Sequence, residues 1–161
     1  MNPYLITLLK ESAAAAVGTV AFALLFSVER RHYLTCAVIG GLGWVLDSLL
    51  QRLGFTPAMA RLCSSAFVAL SARMLAVRQH CPGIILMIPG LFPLIPGGSV
   101  YWTVHHMVAN RLSLASETGF NALKLTVALV FGIVLVFELP QDLFRPAGPS
   151  GQRKRRARKK H

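Results

Sequence analysis

Apolar residues in this chain fall into five long runs separated by short polar joints. The runs extend from about Ser12 to Val28, Tyr33 to Leu50, Thr56 to Val77, Gly83 to Asn110 and Gly119 to Phe137. A helix needs roughly 20 residues to cross the hydrocarbon core of a bilayer. All five runs are near that length, the second being marginal, and the first lengthens towards Leu5 if Lys10 snorkels. The joints carry boundary signals. "VERRHY" is a short charged turn, whereas "QRLGFTP" ends one helix at Gly54 and starts another, with Thr56 as N-cap and Pro57 in the first helical position. "RQHCPG" and "RLSLASETG" read as polar joints, and Pro140 stops the last run. The pattern predicts an all-α integral membrane protein, a bundle of about five transmembrane helices. A four-span arrangement, with the second run lying in the interface, is the alternative. Small residues four apart (Ala14 and Gly18, Ala37 and Gly41, Ser65 and Ala69) suit close packing of membrane helices.

The fourth run is interrupted by "IPGLFPLIPGGS", Ile88 to Ser99, which holds three prolines and three glycines. In one continuous helix, Pro89, Pro93 and Pro96 would leave the carbonyls of Ile85, Pro89 and Phe92 without their usual partners. Each proline also clashes with the preceding turn, at about 3 kcal/mol apiece. The spacing therefore predicts two half-helices joined by irregular backbone around Pro96 to Ser99, with Ser99 as N-cap of the second. In lipid such backbone persists only when buried in protein or lining a wet cavity. That makes the break a candidate binding site, since the N–H groups of Gly97, Gly98 and Ser99 at a positive helix end suit a carboxylate.

Composition agrees with the spans. The 161 residues are 54% hydrophobic and 14% charged, against about 25% charged in soluble domains. The net charge of +11 is mostly a tail, because "QRKRRARKKH" holds seven of the 17 Lys and Arg. The remaining 10 basic residues against 6 acidic ones leave +4. The division predicted is a transmembrane domain at residues 1–140 and a basic, disordered cytoplasmic tail at 141–161. Basic residues after a last span hold that end in the cytoplasm and meet anionic lipid, so the bilayer is the favoured partner of the tail and nucleic acid is disfavoured. With five spans the amino terminus is then outside. "MNPYLITLLKESAAAA" lacks the early basic region of a signal peptide, so the first span is expected to be retained. Cys36, Cys63 and Cys81 form no metal or disulfide framework, and no cofactor is implied.

Charged groups inside a membrane are costly and therefore candidates for function. Asp47, near the end of the second run, and Arg61, one turn into the third, are such candidates for a proton or charge relay. Lys124 is equally ambiguous. His105 and His106 follow the break, and His105 shares a helical face with Tyr101; either histidine is suited to carrying a proton.

The stretch "ILMIPGLFPLIPGGSVY" resembles the signature of the bacterial threonine/serine exporter family, closest to its small-subunit type. Its specific part is Ile84 to Tyr101. The resemblance implies a bacterial inner-membrane exporter of small carboxylate-bearing metabolites, threonine and serine or dicarboxylates such as succinate. It also implies proton coupling and a larger membrane subunit as partner, and a homo-oligomer fits as well. Pro89, Gly90, Pro93, Pro96, Gly97 and Tyr101 carry over as motif positions, and with Gly98 and Ser99 they form the expected substrate-binding set. The rival reading is a non-transporting assembly or anchor subunit that presents its basic tail to lipid or nucleic acid. An enzyme ranks third, since the sequence holds no nucleophile elbow, paired-carboxylate motif or metal cluster.

Overall fold

The computed structural model describes residues 3–139; the basic tail and the Pro140 stop lie outside the described residues. The described residues form six α-helices: α1 (Pro3–Leu25), α2 (Tyr33–Arg52), α3 (Pro57–Gln79), α4 (Gly83–Leu91), α5 (Gly97–Val108) and α6 (Leu112–Phe137). Short 3₁₀ turns at Arg30–His32 and Phe92–Leu94 precede α2 and follow α4. Four segments, Ile6–Leu25, Arg30–Arg52, Pro57–Gln79 and Leu112–Phe137, are long and apolar enough to cross a membrane. The pair Gly83–Leu94 and Gly97–Val108, bent by 50°, supplies a fifth if it forms one span. The protein is thus an all-α membrane protein with four to five spans.

Several boundaries follow the expected chemistry. Thr56 Oγ1 accepts from the Met59 amide at 3.4 Å, and Pro57 opens α3. Gly54 follows α2 with φ +90°, a conformation that glycine adopts without steric cost. Other boundaries differ. The second run is not marginal, since α2 reaches Arg52. "RLSLASETG" is largely not a joint: α6 starts at Leu112, because Ala115 packs inward while Ser113, Ser116 and Glu117 stay exposed. The polar residues occupy an outer face of a helix that begins before its apolar run does.

The core forms where α2, α3 and α4 meet, around Cys36, Ile39, Val68, Ala69, Ala72, Leu86, Leu91 and Leu94. Glycine permits two close approaches. A Cβ on Gly90 of α4 would stand 2.9 Å from Ile39 Cγ2, and one on Gly132 of α6 would collide with Ser65 Oγ and the Leu62 carbonyl oxygen. Further along α3, Arg73 donates to the carbonyl oxygens of Val136 and Leu139, satisfying groups that a helix end leaves unpaired. Of the small-residue pairs, Ser65 and Ala69 are buried as expected. Gly41 meets Ala16 across the α1–α2 contact. Ala14 is exposed and Gly18 has open space around it, so that pair faces away from the bundle.

This packing generates a paired prediction. Gly132→Ala should destabilise the protein by about 1–3 kcal/mol, because the colliding atoms include backbone. Gly18→Ala should change stability by less than about 0.5 kcal/mol. Thermal unfolding of the purified chain in detergent, followed by circular dichroism, measures both.

Candidate functional site

The break lies earlier than the spacing of prolines suggested. Helix α4 accommodates Pro89 and ends at Leu91, and the irregular backbone runs from Phe92 to Pro96. Two of the carbonyls expected to lose partners keep them by tightening into i→i+3 bonds. The Phe92 amide donates to Pro89 O, and the Ile95 amide donates to Phe92 O at 3.1 Å. Ser99 is not the N-cap; Pro96 holds that position and Ser99 is the third residue of α5. The Gly97 N–H is committed to the Ile95 carbonyl at 2.7 Å. Gly98 and Ser99 carry N–H groups of the kind that a first helical turn leaves without an intrahelical acceptor.

At the centre of the break the Leu94 carbonyl points away from any helix ladder, and Arg61 Nη1 donates to it at 2.7 Å. Arg61 reaches it from the first turns of α3 and is only 8% exposed. Its charge is matched by Asp47 of α2, 1% exposed, with Nη2 3.3 Å from Oδ2. Gln51, one turn further along α2, donates to the same Asp47 oxygen at 2.7 Å. The structure therefore joins two residues singled out separately in the sequence, Asp47 and Arg61, and ties both to the Pro/Gly motif. Asp47 Oδ1 and Arg61 Nε remain buried without a hydrogen-bond partner.

These side chains line a cleft of ≈ 440 Å³ together with Glu11, Trp44, Ser48, Gln51 and Arg52. Trp44 Nε1 donates to Glu11 Oε2 at 3.4 Å, linking α1 to α2 at the cleft wall. Two carboxylates and two guanidinium groups make it formally neutral but strongly bipolar. Glu11, Trp44, Gln51 and Arg52 escaped the sequence reading. Their helical spacing offered a signal, because Trp44, Asp47 and Gln51 stand three and four apart on one face of α2.

The other candidates divide by position. Pro89, Gly90 and Pro96 are buried, and Gly90 packs on Ile39 and Val68. Pro93 is half-buried in the 3₁₀ turn. Gly97 and Gly98 are exposed, Ser99 is half-buried and Tyr101 is exposed. Helix α5 contains no buried residue. Tyr101 and His105 lie on one face with ring centroids 6.3 Å apart, as expected, and His106 stacks on Trp102 at 5.8 Å. His105 is exposed on this aromatic surface, whereas His106 is half-buried with its Nδ1 lacking a hydrogen-bond partner; neither lines the bipolar cleft. Among the described residues no group of His, Cys, Asp and Glu is arranged to hold a metal ion.

Comparison with known proteins adds a family. The family described as "Threonine/Serine exporter, ThrE" matches residues 11–138. The chain is 26% identical over 153 residues to a "Probable threonine/serine exporter" of Mycobacterium tuberculosis (strain ATCC 25618 / H37Rv), covering 88% of this chain and 29% of that protein. It is 25% identical over 140 residues to an "Uncharacterized protein" of Haemophilus influenzae (strain ATCC 51907 / DSM 11121 / KW20 / Rd), covering 82% of this chain and 47% of that one. The chain thus spans less than half the length of these curated relatives. No solved structure matches it.

The buried pair predicts strong coupling between its members. Arg61→Met strands the Asp47 charge and uncaps the Leu94 carbonyl, and should cost about 3–5 kcal/mol. Asp47→Asn combined with Arg61→Met should cost less than the sum of the two single changes, since the second removes the charge that the first strands. Denaturant unfolding in detergent micelles closes this cycle.

Proposed function

The chain belongs to the threonine/serine exporter family, and from that premise we propose that it is one subunit of an exporter of small carboxylate-bearing metabolites. As a multi-pass membrane protein of an exporter family it is a transporter component rather than an enzyme. In this reading a larger membrane subunit supplies the part of the machine that the longer relatives carry in one chain. The proton gradient drives export. The chain sits in a bacterial inner membrane with its amino terminus outside and its basic tail, residues 141–161, in the cytoplasm beside anionic lipid.

The observation that carries the reading is the bipolar cleft around Asp47 and Arg61, tied through the Leu94 carbonyl to the motif. A substrate that places its carboxylate near Arg61 and its ammonium near Asp47 keeps every charge paired. A dicarboxylate brings a second negative charge towards Asp47 and Glu11. At 4 Å and an effective dielectric of 20, each such repulsion costs about 4 kcal/mol. The arrangement therefore favours a zwitterionic amino acid such as threonine or serine over succinate. Rocking of α4 and α5 about the Phe92–Pro96 break, against the partner subunit, would expose the cleft alternately to the two sides.

Two variants test the site. A Cβ at Gly97 or Gly98 meets nothing within 4 Å, so Gly97→Ala with Gly98→Ala leaves the fold intact. Reduced threonine efflux from cells expressing this double variant at normal level marks the break as a substrate contact, and unchanged efflux removes it from the site. Asp47→Asn retains a partner for Gln51 while removing the charge opposite the ammonium, and because it also strands the buried Arg61 its efflux is read per amount of folded protein. It should lower efflux about tenfold or more, the equivalent of losing at least about 1.4 kcal/mol of substrate interaction.

A further inference from the structure

At the end of the bundle away from the bipolar cleft, the α1–α2 joint folds a charged turn back into the protein. His32 ends that turn and is 3% exposed, the one buried histidine among the described residues. Its two ring nitrogens have opposite partners. Nδ1 bonds to Gln79 Oε1 of α3, an atom that can only accept, so Nδ1 carries the proton. Gln79 in turn donates through Nε2 to Thr35 Oγ1 of α2 at 2.8 Å. Nε2 of His32 then holds a lone pair, and Arg31 Nε donates to it at 3.1 Å. The same Arg31 nitrogen lies 2.8 Å from Glu29 Oε2, and that carboxylate oxygen is 3.9 Å from His32 Nε2.

We propose that His32 is a proton-binding site of the transport cycle, at which a proton exchanges Arg31 for Glu29 as the partner of Nε2. A proton from water that binds Nε2 forms an N–H bond there and turns the ring into a donor at both nitrogens. The Arg31 N–H can no longer face it, whereas Glu29 is already within one small movement of accepting from it. Loss of the proton back to water restores the first arrangement. No oxidant or reductant enters. The two arrangements differ in the seating of the Arg30–His32 turn, through which α1 continues into α2, and His32 anchors that turn to α3. A cavity of ≈ 450 Å³ lined by Glu29, Arg31, His32, His80, Cys81 and Ile88 gives water access to the ring.

The charged and titratable neighbours are few. The turn contributes Glu29, Arg30 and Arg31, followed by Tyr33; α3 and the joint after it contribute Arg78, His80 and Cys81. α4 brings the cavity apolar residues, and the α1–α2 joint adds Phe26, Ser27 and Val28. Burial pushes the Cys81 thiol up, and this outweighs the opposing pull of Arg31 towards the thiolate. Glu29 is thus the anion placed to receive the imidazolium. His105 and His106, which the sequence singled out, have no carboxylate partner of this kind among the described ion pairs.

The coupling role rests on the exporter reading, so the test separates the two. The full chain, with ¹⁵N-labelled histidine and with its larger partner where one co-purifies, is placed in lipid nanodiscs. His32→Asn identifies the His32 resonances. The expected result is the Nδ1–H tautomer at high pH and the imidazolium on acidification, with threonine efflux from cells following the same midpoint in cytoplasmic pH. Gln79→Glu sets a carboxylate against Nδ1 and favours the charged ring, so both midpoints should move to higher pH by roughly one unit. His32→Asn should flatten the pH dependence of efflux. A His32 ring that stays neutral down to pH 5, or an efflux midpoint that Gln79→Glu leaves in place while the ring's midpoint moves, overturns the proposal. If His32→Asn fails to accumulate, Gln79→Glu alone decides the matter. Wild-type protein that exports no threonine with its partner present contradicts the exporter reading itself, whatever the ring does.

Discussion

The buried guanidinium of Arg61 is the group on which the arrangement depends. A membrane span broken by prolines exposes backbone carbonyls where no water can reach them, and each must find a donor. The 3₁₀ turn satisfies the carbonyls of Pro89 and Phe92 internally, but Leu94 O turns towards α3 and takes Arg61. A cation placed there needs an anion, which Asp47 supplies, and Gln51 holds Asp47 in position. Insertion scales put one charged residue at the centre of a helix at about 2.5–3.5 kcal/mol. That cost explains why the cation and anion come as a pair and why the cleft beside them is polar. The broken helix and the charged cleft are two parts of one solution.

Much of this order was legible in the chain. The five runs, the Thr56 cap, the Gly54 stop and the broken fourth segment all follow from local chemistry. The precise seat of the break was not legible, because a proline can be absorbed by a helix or by a 3₁₀ turn with little outward sign. Pro89 took the first course and Pro93 the second. Ser99 offered cap chemistry, yet Pro96 began the helix. The Asp47–Arg61–Leu94 chain was legible only as two suspicious charges, since Arg61 reaches a carbonyl 33 residues away. What brings them together is the packing of α2, α3 and α4, which no window of sequence contains. His32 hid inside a joint that looked solvated, and Ser113 to Glu117 hid a helix behind polar residues.

The two ends of the bundle therefore carry different chemistry. One end holds paired charges of both signs beside an irregular backbone. The other holds a histidine whose two nitrogens are already committed, with the Glu29 carboxylate, ion-paired to Arg31, close by. Helices α2 and α3 run between them, so a change in the seat of His32 acts on the same two helices that position Asp47 and Arg61. In the proposed reading, such an arrangement would link a proton at one end to a substrate at the other without direct contact. It also leaves α5, with no buried residue, as the element least held by this chain alone.

The central claim is that the cleft recognises both charges of a zwitterion. Ligand-induced stabilisation of the purified protein, with its larger partner where one co-purifies, tests this most directly, because a bound ligand raises stability by RT ln(1 + [L]/Kd). Threonine should raise the unfolding temperature, whereas succinate, which lacks the ammonium, and threonine methyl ester, which lacks the carboxylate, should each leave it unchanged at the same concentration. Equal stabilisation by succinate and threonine would contradict the account.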